Sequence, residues 1–167
     1  RLAAFGLEPT GWRAAIVGFA WGSGGVSTPH LWALRVYFED TDAGGVAYHA
    51  RYLHWAERAR TEALRSMGLP HQEMIARHGV FLVVRRLEVE YFRPALLDES
   101  VVVETHIRRV SGVQVWLTQV VRREGEDEAL AVLEVRLASV GQGSAKPVPL
   151  PEPWRSALRA VAEAAPG

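Results

Sequence analysis

Alternating hydrophobic and polar positions predict β-strands in two regions of the chain. Near the start of the first region, Trp32, Leu34, Val36 and Phe38 alternate with other residues, which indicates a half-buried strand. After residue 80, four further runs have strand character and are separated by short turns that contain Pro, Gly or Ser. These runs are Val80–Arg93, Ser100–Val110, Val113–Arg123 and Ala129–Val140. Because the connections are short, neighbouring strands are expected to be antiparallel.

A helical period separates the two strand regions. Positions 52, 56, 59, 63 and 67 are Tyr, Ala, Ala, Ala and Met, while the opposite side is charged. The segment from about His49 to Met67 is therefore predicted to be a long amphipathic helix that ends at Gly68. Shorter helices are predicted over about 70–77 and 154–164. The pattern as a whole predicts an α+β fold with a five-stranded antiparallel sheet and one long helix for the sheet to cover.

The length of 167 residues corresponds to one ordinary domain. Residues 1–29 are rich in Gly, Pro, Ser and Ala and have no clear period, so they are interpreted as a loosely ordered N-terminal extension. The apolar run at residues 14–21 is too short to span a bilayer. Residues 30–167 are assigned to the folded domain.

Composition excludes several kinds of site. The chain has no Cys, which rules out disulfides and cysteine-ligated metal centres. Its 19 basic and 19 acidic residues give zero net charge, which argues against unspecific binding of nucleic acid. All of the basic residues except Lys146 are Arg, which forms two-pronged contacts with phosphates and carboxylates.

The candidate chemistry lies at residues 40–52, where a glycine-containing turn joins the first strand to the long helix. A calcium loop beginning at Asp40 fails because its twelfth position is Arg51 and not Glu. A metal site is disfavoured because His49 and His54 are five residues apart on a helix and diverge. Four histidines, at positions 54, 71, 78 and 106, are expected on the surface or as caps.

Two interpretations of this turn stay open on spacing alone. The first is a purely structural turn, with Asp side chains bonding to the backbone and acidic residues near a helix N-terminus. The second is an acyl-transfer site, in which the first helical N–H groups hold a developing oxyanion. In that case Asp42 would attack the substrate or activate water, and His49 would tune or relay a proton.

A resemblance to a known family favours the second interpretation. The segments 36–53 and 57–62 resemble the signature of the acyl-CoA thioesterases associated with the Tol-Pal system, the YbgC type of the 4-hydroxybenzoyl-CoA thioesterase family. The similarity extends to Glu90–Ala95 and to the proline-rich stretch Lys146–Pro151, and it covers about residues 31–160. The resemblance implies a hotdog fold, in which a long central helix is wrapped by an antiparallel sheet.

The resemblance also implies residue roles. Asp42 matches the catalytic carboxylate of the family, acting as general base or nucleophile, and His49 matches the family histidine. The backbone N–H near His49 would polarise the thioester carbonyl. Tyr48, Gly45 and Val46 are expected to contact the substrate. No cofactor is expected, since coenzyme A is part of the substrate.

Partners and location follow from the same resemblance. Family members form homodimers, often assembled into homotetramers, with the active site at the subunit interface. A cytoplasmic location, with peripheral association at membranes, is the corresponding expectation for this chain, with no nucleic-acid partner. Basic side chains would meet the coenzyme A phosphates. Arg108 and Arg122, together with Arg109 and Arg123, are candidates because they lie on adjoining predicted strand ends, although a solvated sheet rim explains them as well.

The leading functional hypothesis is hydrolysis of an acyl-CoA thioester to a free acid and coenzyme A. One alternative is a hydratase or dehydratase of the same fold, which would pair His49 as base with a second acid such as Glu62. The other alternative is an acyl-CoA-binding protein without catalytic activity. No residue in the sequence identifies the acyl group.

Overall fold

The structure is a computed structural model that describes residues 29–144 and 146–164. The N-terminal extension predicted for residues 1–29 lies outside the described residues, apart from Pro29. The described elements are β1 (His30–Arg35), α1 (His49–Ser66), α2 (His71–His78), β2 (Val80–Tyr91), β3 (Ser100–Val110), β4 (Gln114–Arg123), β5 (Ala129–Gly141) and α3 (Trp154–Glu163), with a 3-10 turn at Phe38–Asp40. The predicted α+β class is confirmed.

The five strands form one antiparallel sheet in the order β1-β3-β4-β5-β2. One face of this sheet is apolar because inward-pointing residues are paired across neighbouring strands. Trp32 lies opposite Val103, and Leu117 lies opposite both Ile107 and Val135. The predicted five-stranded antiparallel sheet is therefore confirmed, with β1 and β2 at its edges.

Helix α1 packs across β1, β3 and β4. Four of the five positions predicted to form its apolar face are buried, and the fifth, Met67, packs partly buried against the same core. The buried residues of the helix are Tyr52, Trp55, Ala56, Ala59, Ala63 and Leu64. Because Ala56 and Ala59 are 0% exposed and carry only a methyl group, the helix backbone lies close to the sheet.

The first strand is shorter than its alternating pattern predicts. β1 ends at Arg35, and Phe38 is 82% exposed at the start of the 3-10 turn, so the prediction of an inward strand position at Phe38 is wrong. The reason is a competing hydrogen bond, since the backbone N–H of Tyr37 donates to Oδ2 of Asp40 at 2.9 Å. This bond folds the chain away from the sheet and directs it toward the start of α1.

The C-terminal segment is attached to the rest of the fold through Trp154. This side chain is 1% exposed, and its indole N–H donates to the carbonyl oxygen of Leu69 at 2.8 Å. Helix α3 packs against β3. Within the described ranges of the chain, no helix is long and apolar enough to cross a bilayer.

Candidate active site

The segment between β1 and α1 folds into a tight turn closed by backbone hydrogen bonds. The N–H of Asp42 donates to the carbonyl of Val46 at 2.9 Å, and the N–H of Gly45 donates to the carbonyl of Asp42 at 3.0 Å. An antiparallel bridge between Thr41 and Ala47 continues this pairing. Gly45 has φ of +74°, a left-handed conformation that glycine adopts without steric cost.

The Asp42 carboxylate is exposed and held in place by its own turn. Its Oδ1 accepts a hydrogen bond from the N–H of Gly44 at 2.7 Å. A Cβ at position 44 would lie 3.0 Å from the same oxygen, so only glycine fits there without movement. Among the described residues, the Asp42 carboxylate has no ion-pair partner. It is therefore oriented by the backbone while remaining accessible to a substrate or water.

Asp40 has the opposite environment. It is 6% exposed, its Oδ1 lies 3.4 Å from Nε of Arg51, and its carbonyl accepts the N–H of Tyr48 at 2.8 Å. Arg51 also donates to the carbonyl of Glu39 at 2.6 Å. Asp40 therefore joins the turn to the start of α1, a structural role that was not predicted for it from the sequence.

Helix α1 begins at His49 without a side-chain cap. The preceding residue, Tyr48, makes no capping hydrogen bond through its side chain. The first N–H groups of a helix have no acceptor within the helix. The N–H of Arg51 donates to the carbonyl of Tyr48 at 2.8 Å, so the amides of His49 and Ala50 are the ones available to an external oxygen. The positive end of the helix dipole at the same place favours negative charge. The turn that carries Asp42 and the start of α1 are joined by the backbone bond from Tyr48 to Asp40.

An aromatic cluster surrounds the side chain of His49. The exposed Tyr48 ring lies 4.3 Å from the imidazole between centroids, and the Tyr91 ring lies 6.5 Å away. The hydroxyl of Tyr91 donates to the carbonyl of His49 at 2.8 Å. Burial raises the pKa of Tyr91 above its usual value. Tyr91 was not assigned a role from sequence, although it lies in the Glu90–Ala95 segment that resembles the family.

Apolar side chains are exposed around this segment. Val46, one of the expected substrate contacts, is half-buried and forms a bridge with Leu96. The exposed side chains are Tyr37, Phe38, Leu96 and Leu97. Exposed apolar groups that cluster in this way mark a surface suited to a ligand or a protein partner.

The candidate phosphate-binding arginines do not lie together. Because β3 and β4 are antiparallel, Arg109 is opposite Trp116 near the connecting turn, whereas Arg122 is opposite Val102 at the other end. The expectation that Arg108, Arg109, Arg122 and Arg123 share adjoining strand ends is therefore wrong: the C-terminal ends of two antiparallel strands lie at opposite sides of the sheet.

The arginines also differ in their partners. Nε of Arg108 donates to Oγ1 of Thr118 at 2.9 Å, and the Arg109 guanidinium stacks 4.6 Å from the Trp116 ring centroid. Arg123 donates to Glu99 at 2.9 Å and to the carbonyl of Pro94 at 2.8 Å. It lies near the turn because the next residue, Ala95, accepts the N–H of Ala47 through its carbonyl.

Arg122 belongs to a polar group on the outer face of the sheet. Its Nε donates to Oε1 of Glu104 at 2.5 Å, and Nε2 of His106 lies 3.4 Å from the other oxygen of that carboxylate. The hydrogen bond from His106, followed by the one from Arg122, lowers the pKa of Glu104 below its usual value. His106 is 5% exposed, so its expected surface position is wrong.

A second polar group missed from sequence lies beneath α1. Gln119 of β4 is 0% exposed, and its amide nitrogen donates to the carbonyl of Ala56 and to Oγ1 of Thr105, both at 2.9 Å. Its oxygen accepts a hydrogen bond from Arg60 at 2.7 Å. Residues 60 and 119 are far apart in sequence, so no local pattern could reveal this pair.

Metal ligation has no support in the part of the chain that the structure describes. Among residues 29–144 and 146–164, no three or more His, Asp or Glu side chains converge as metal ligands do.

Comparison with known proteins identifies the family. Residues 36–158 match the model of the thioesterase-like superfamily. The chain is 41% identical over 125 residues to the acyl-CoA thioesterase YbgC of Haemophilus influenzae, covering 75% of this chain and 90% of that protein. It is 42% identical over 126 residues to the acyl-CoA thioester hydrolase YbgC of Escherichia coli O6:H1, covering 75% and 92%.

A solved structure shows the same fold. The probable thioesterase from Bartonella henselae matches with a TM-score of 0.68 and 34% identity, over 74% of this chain and 99% of that one. The hotdog fold implied by the sequence resemblance is thereby confirmed. The chain belongs to the thioesterase-like superfamily and, within it, to the YbgC-type acyl-CoA thioesterases.

Proposed function

We propose that this protein hydrolyses acyl-CoA thioesters at the turn between β1 and α1, with Asp42 as the catalytic carboxylate. The observation that carries the proposal is the pairing of an exposed, backbone-oriented carboxylate with an uncapped helix N-terminus. The names of the YbgC relatives, at 41% and 42% identity, support the same substrate class.

The helix N-terminus supplies the electrostatic part of the mechanism. The carbonyl oxygen of the thioester accepts hydrogen bonds from the first amides of α1, near His49. As the carbonyl carbon is attacked, negative charge develops on that oxygen, and the fixed amides together with the helix dipole stabilise it. Tyr48, Gly45 and Val46 line the approach and contact the substrate.

Asp42 supplies the chemical part. As general base it takes a proton from water, whose oxygen forms a bond to the carbonyl carbon. The C–S bond then breaks, and the thiolate of coenzyme A receives the proton to leave as a thiol. As nucleophile, a carboxylate oxygen of Asp42 would instead bond to the carbonyl carbon while the C–S bond breaks and coenzyme A leaves as a thiolate that takes up a proton; water then hydrolyses the acyl anhydride to the free acid and regenerates the Asp42 carboxylate. In either case His49 relays or tunes the proton, and no cofactor is invoked.

Asp40 is not proposed as the catalytic group. Its carboxylate is buried, accepts the Tyr37 amide and faces Arg51, so it cannot reach a substrate without breaking the turn. The two aspartates are two residues apart but differ in environment, and such a difference assigns roles to paired carboxylates.

We propose further that a second copy of the chain completes the site. The exposed apolar groups beside the turn, including Phe38 and Leu97, would be covered in a homodimer or homotetramer. Arg123, held near Pro94, and Arg122 lie at the end of the sheet nearer to the turn and are the better placed candidates for the coenzyme A phosphates. We propose a cytoplasmic location for this acyl-CoA hydrolysis.

The hydratase alternative has less support. Glu62 lies 13 residues beyond His49 on α1, about 20 Å at 1.5 Å per residue, and is ion-paired with Arg65. Within one chain it cannot act together with His49 on one substrate.

The test replaces Asp42 by Asn, which keeps the shape and the hydrogen bond from Gly44 but removes the base. The rate of hydrolysis of acyl-CoA thioesters of several chain lengths, measured by the release of free thiol, is expected to fall by roughly 10²-fold or more. Asp127→Asn, at an exposed carboxylate outside the site, is the matched control and should retain activity. Wild-type turnover by Asp42→Asn would refute the mechanism.

A further inference from the structure

A small cavity lies between α1 and the apolar face of the sheet, beyond the proposed catalytic turn. Its volume is about 110 Å³, which is less than the usual size of a complete small-molecule site. Apolar side chains form most of its wall, among them Leu64, Met67, Leu82, Ile107, Leu117 and Leu137. It has room for the end of a ligand and not for a whole one.

One cation faces this apolar space. Arg60 lines the cavity and donates a single hydrogen bond, from one terminal nitrogen to Oε1 of Gln119 at 2.7 Å. Within the described parts of the chain, the other N–H groups of this guanidinium have no acceptor, and no carboxylate oxygen lies within 4.0 Å. Burial lowers the pKa of Arg60, although an arginine remains charged at any physiological pH.

The guanidinium is held in a fixed orientation. Both N–H groups of the Gln119 amide are used by Ala56 and Thr105, so its oxygen can only face Arg60. Glu57 lines the same cavity, but its exposed carboxylate accepts a hydrogen bond from Thr61 at 3.1 Å and makes no ion pair with Arg60. Arg60 is therefore oriented at a half-buried, mostly apolar pocket with donors that no other described residue uses, which is the chemistry that recognises a carboxylate.

The position of Arg60 relates this cation to the catalytic turn. Arg60 is 11 residues beyond His49 on α1, about 16 Å along the helix axis. Long side chains on a helix point back toward its N-terminus, so the guanidinium lies nearer to the turn than this rise suggests. The lining residues of the cavity include none from the turn, so only an acyl chain long enough to span this distance along α1 would bring its far end to Arg60.

We propose that the cavity receives the far end of the acyl group and that Arg60 binds a carboxylate there, so that ω-carboxyacyl-CoA thioesters are the favoured substrates. This inference rests on the proposed thioesterase function and adds a substrate class to it. The apolar wall accepts the methylene groups, and the guanidinium accepts the terminal charge. An acyl chain of equal length that ends in a methyl group would leave the donors of Arg60 without an acceptor.

The experiment compares matched substrate pairs of increasing length: adipoyl-CoA with hexanoyl-CoA, suberoyl-CoA with octanoyl-CoA, and dodecanedioyl-CoA with dodecanoyl-CoA. The wild-type enzyme is expected to prefer the carboxylated member of at least one pair in kcat/KM. Arg60→Met keeps much of the apolar stem and removes the charge, and should reduce that preference by roughly 10- to 100-fold. Arg58→Met, at an exposed neighbour on α1, is the control and should keep the preference.

Arg60→Lys guards against a folding defect, because it restores a cation that can contact Gln119 and should recover part of the preference. The inference would be overturned by equal kcat/KM within every pair in the wild type, or by an unchanged preference in Arg60→Met. In either case, hydrolysis of hexanoyl-CoA would still support the proposed thioesterase function. Failure to hydrolyse any of the six thioesters would instead count against the proposed function. Free hexanoate serves as a competitor. If it inhibits the wild type but not Arg60→Met, and the wild type shows no preference for carboxylated thioesters, then Arg60 binds the carboxylate of a free acid and the proposed substrate class is overturned.

Discussion

Replacing Gln119 by Leu tests whether the polar link between α1 and the sheet stabilises the fold. Gln119 is 0% exposed and makes three hydrogen bonds, with the carbonyl of Ala56, Oγ1 of Thr105 and the guanidinium of Arg60. The substitution removes all three bonds while leaving a side chain of similar size.

The expected cost follows from the partners. Two neutral bonds contribute about 1 kcal/mol each, and the bond to the charged guanidinium contributes about 1.5–3 kcal/mol. The more apolar leucine offsets about 1 kcal/mol, so the free energy of unfolding should fall by roughly 2.5–4 kcal/mol. That is a large share of the 5–15 kcal/mol typical of a domain.

A double-mutant cycle makes the prediction sharper. Arg60→Met alone leaves Oε1 of Gln119 buried without a donor, at a cost of about 1–3 kcal/mol. Because the double variant removes both partners, its cost should be at least about 1 kcal/mol less than the sum of the two single costs.

The assay is urea unfolding followed by circular dichroism and tryptophan fluorescence, with Gln72→Leu at an exposed position of α2 as the control. A cost below about 1 kcal/mol for Gln119→Leu would refute the reasoning. Additive single costs, within about 0.5 kcal/mol, would refute it as well.

Two further predictions concern the turn and the outer face of the sheet. Gly44→Ala would place a Cβ 3.0 Å from Oδ1 of Asp42 and displace the carboxylate, so kcat/KM for acyl-CoA should fall by roughly 10- to 100-fold. Gly112→Ala, where nothing lies within 4 Å, should not change it, and equal activity of the two variants would contradict the assignment of the turn. The pKa of Glu104 is lowered by His106 and Arg122, so its stabilising contribution is present above the usual value of 4.5 and is lost as pH falls through the lower folded value. Unfolding free energies measured from about pH 6 to pH 3 should therefore decline less steeply for Glu104→Gln than for the wild type, and identical slopes would exclude this contribution.

The sequence predicted the elements whose signals are local. The alternation after residue 80 and the small residues at positions 56, 59 and 63 follow directly from the periods of strand and helix, and the structure buries those helix positions. Phe38 was mispredicted because one side chain–backbone bond, from the Tyr37 amide to Asp40, competes with strand formation.

The candidate site was predicted only in part. The turn and its aspartates could be located from sequence, but their environments could not, because the burial of Asp40 depends on Arg51, one turn into the following helix. The link between Arg60 and Gln119 joins residues from α1 and β4 that meet only after the sheet has formed. Arg108 and Arg109 were wrongly grouped with Arg122 and Arg123, because the sequence pattern does not specify which strand ends lie at the same end of the sheet.

The bond from Tyr91 to the carbonyl of His49 has an evolutionary consequence. It anchors the start of α1 through the main chain, and the proposed polarising contacts are backbone amides as well. Most point mutations at position 49 therefore leave the anchor and the polarising contacts in place, and proline, which constrains the backbone and lacks the N–H, is the clear exception. Descendants of this enzyme can exchange side chains along α1 and the sheet to accept new acyl groups while inheriting the backbone that we propose binds the oxyanion.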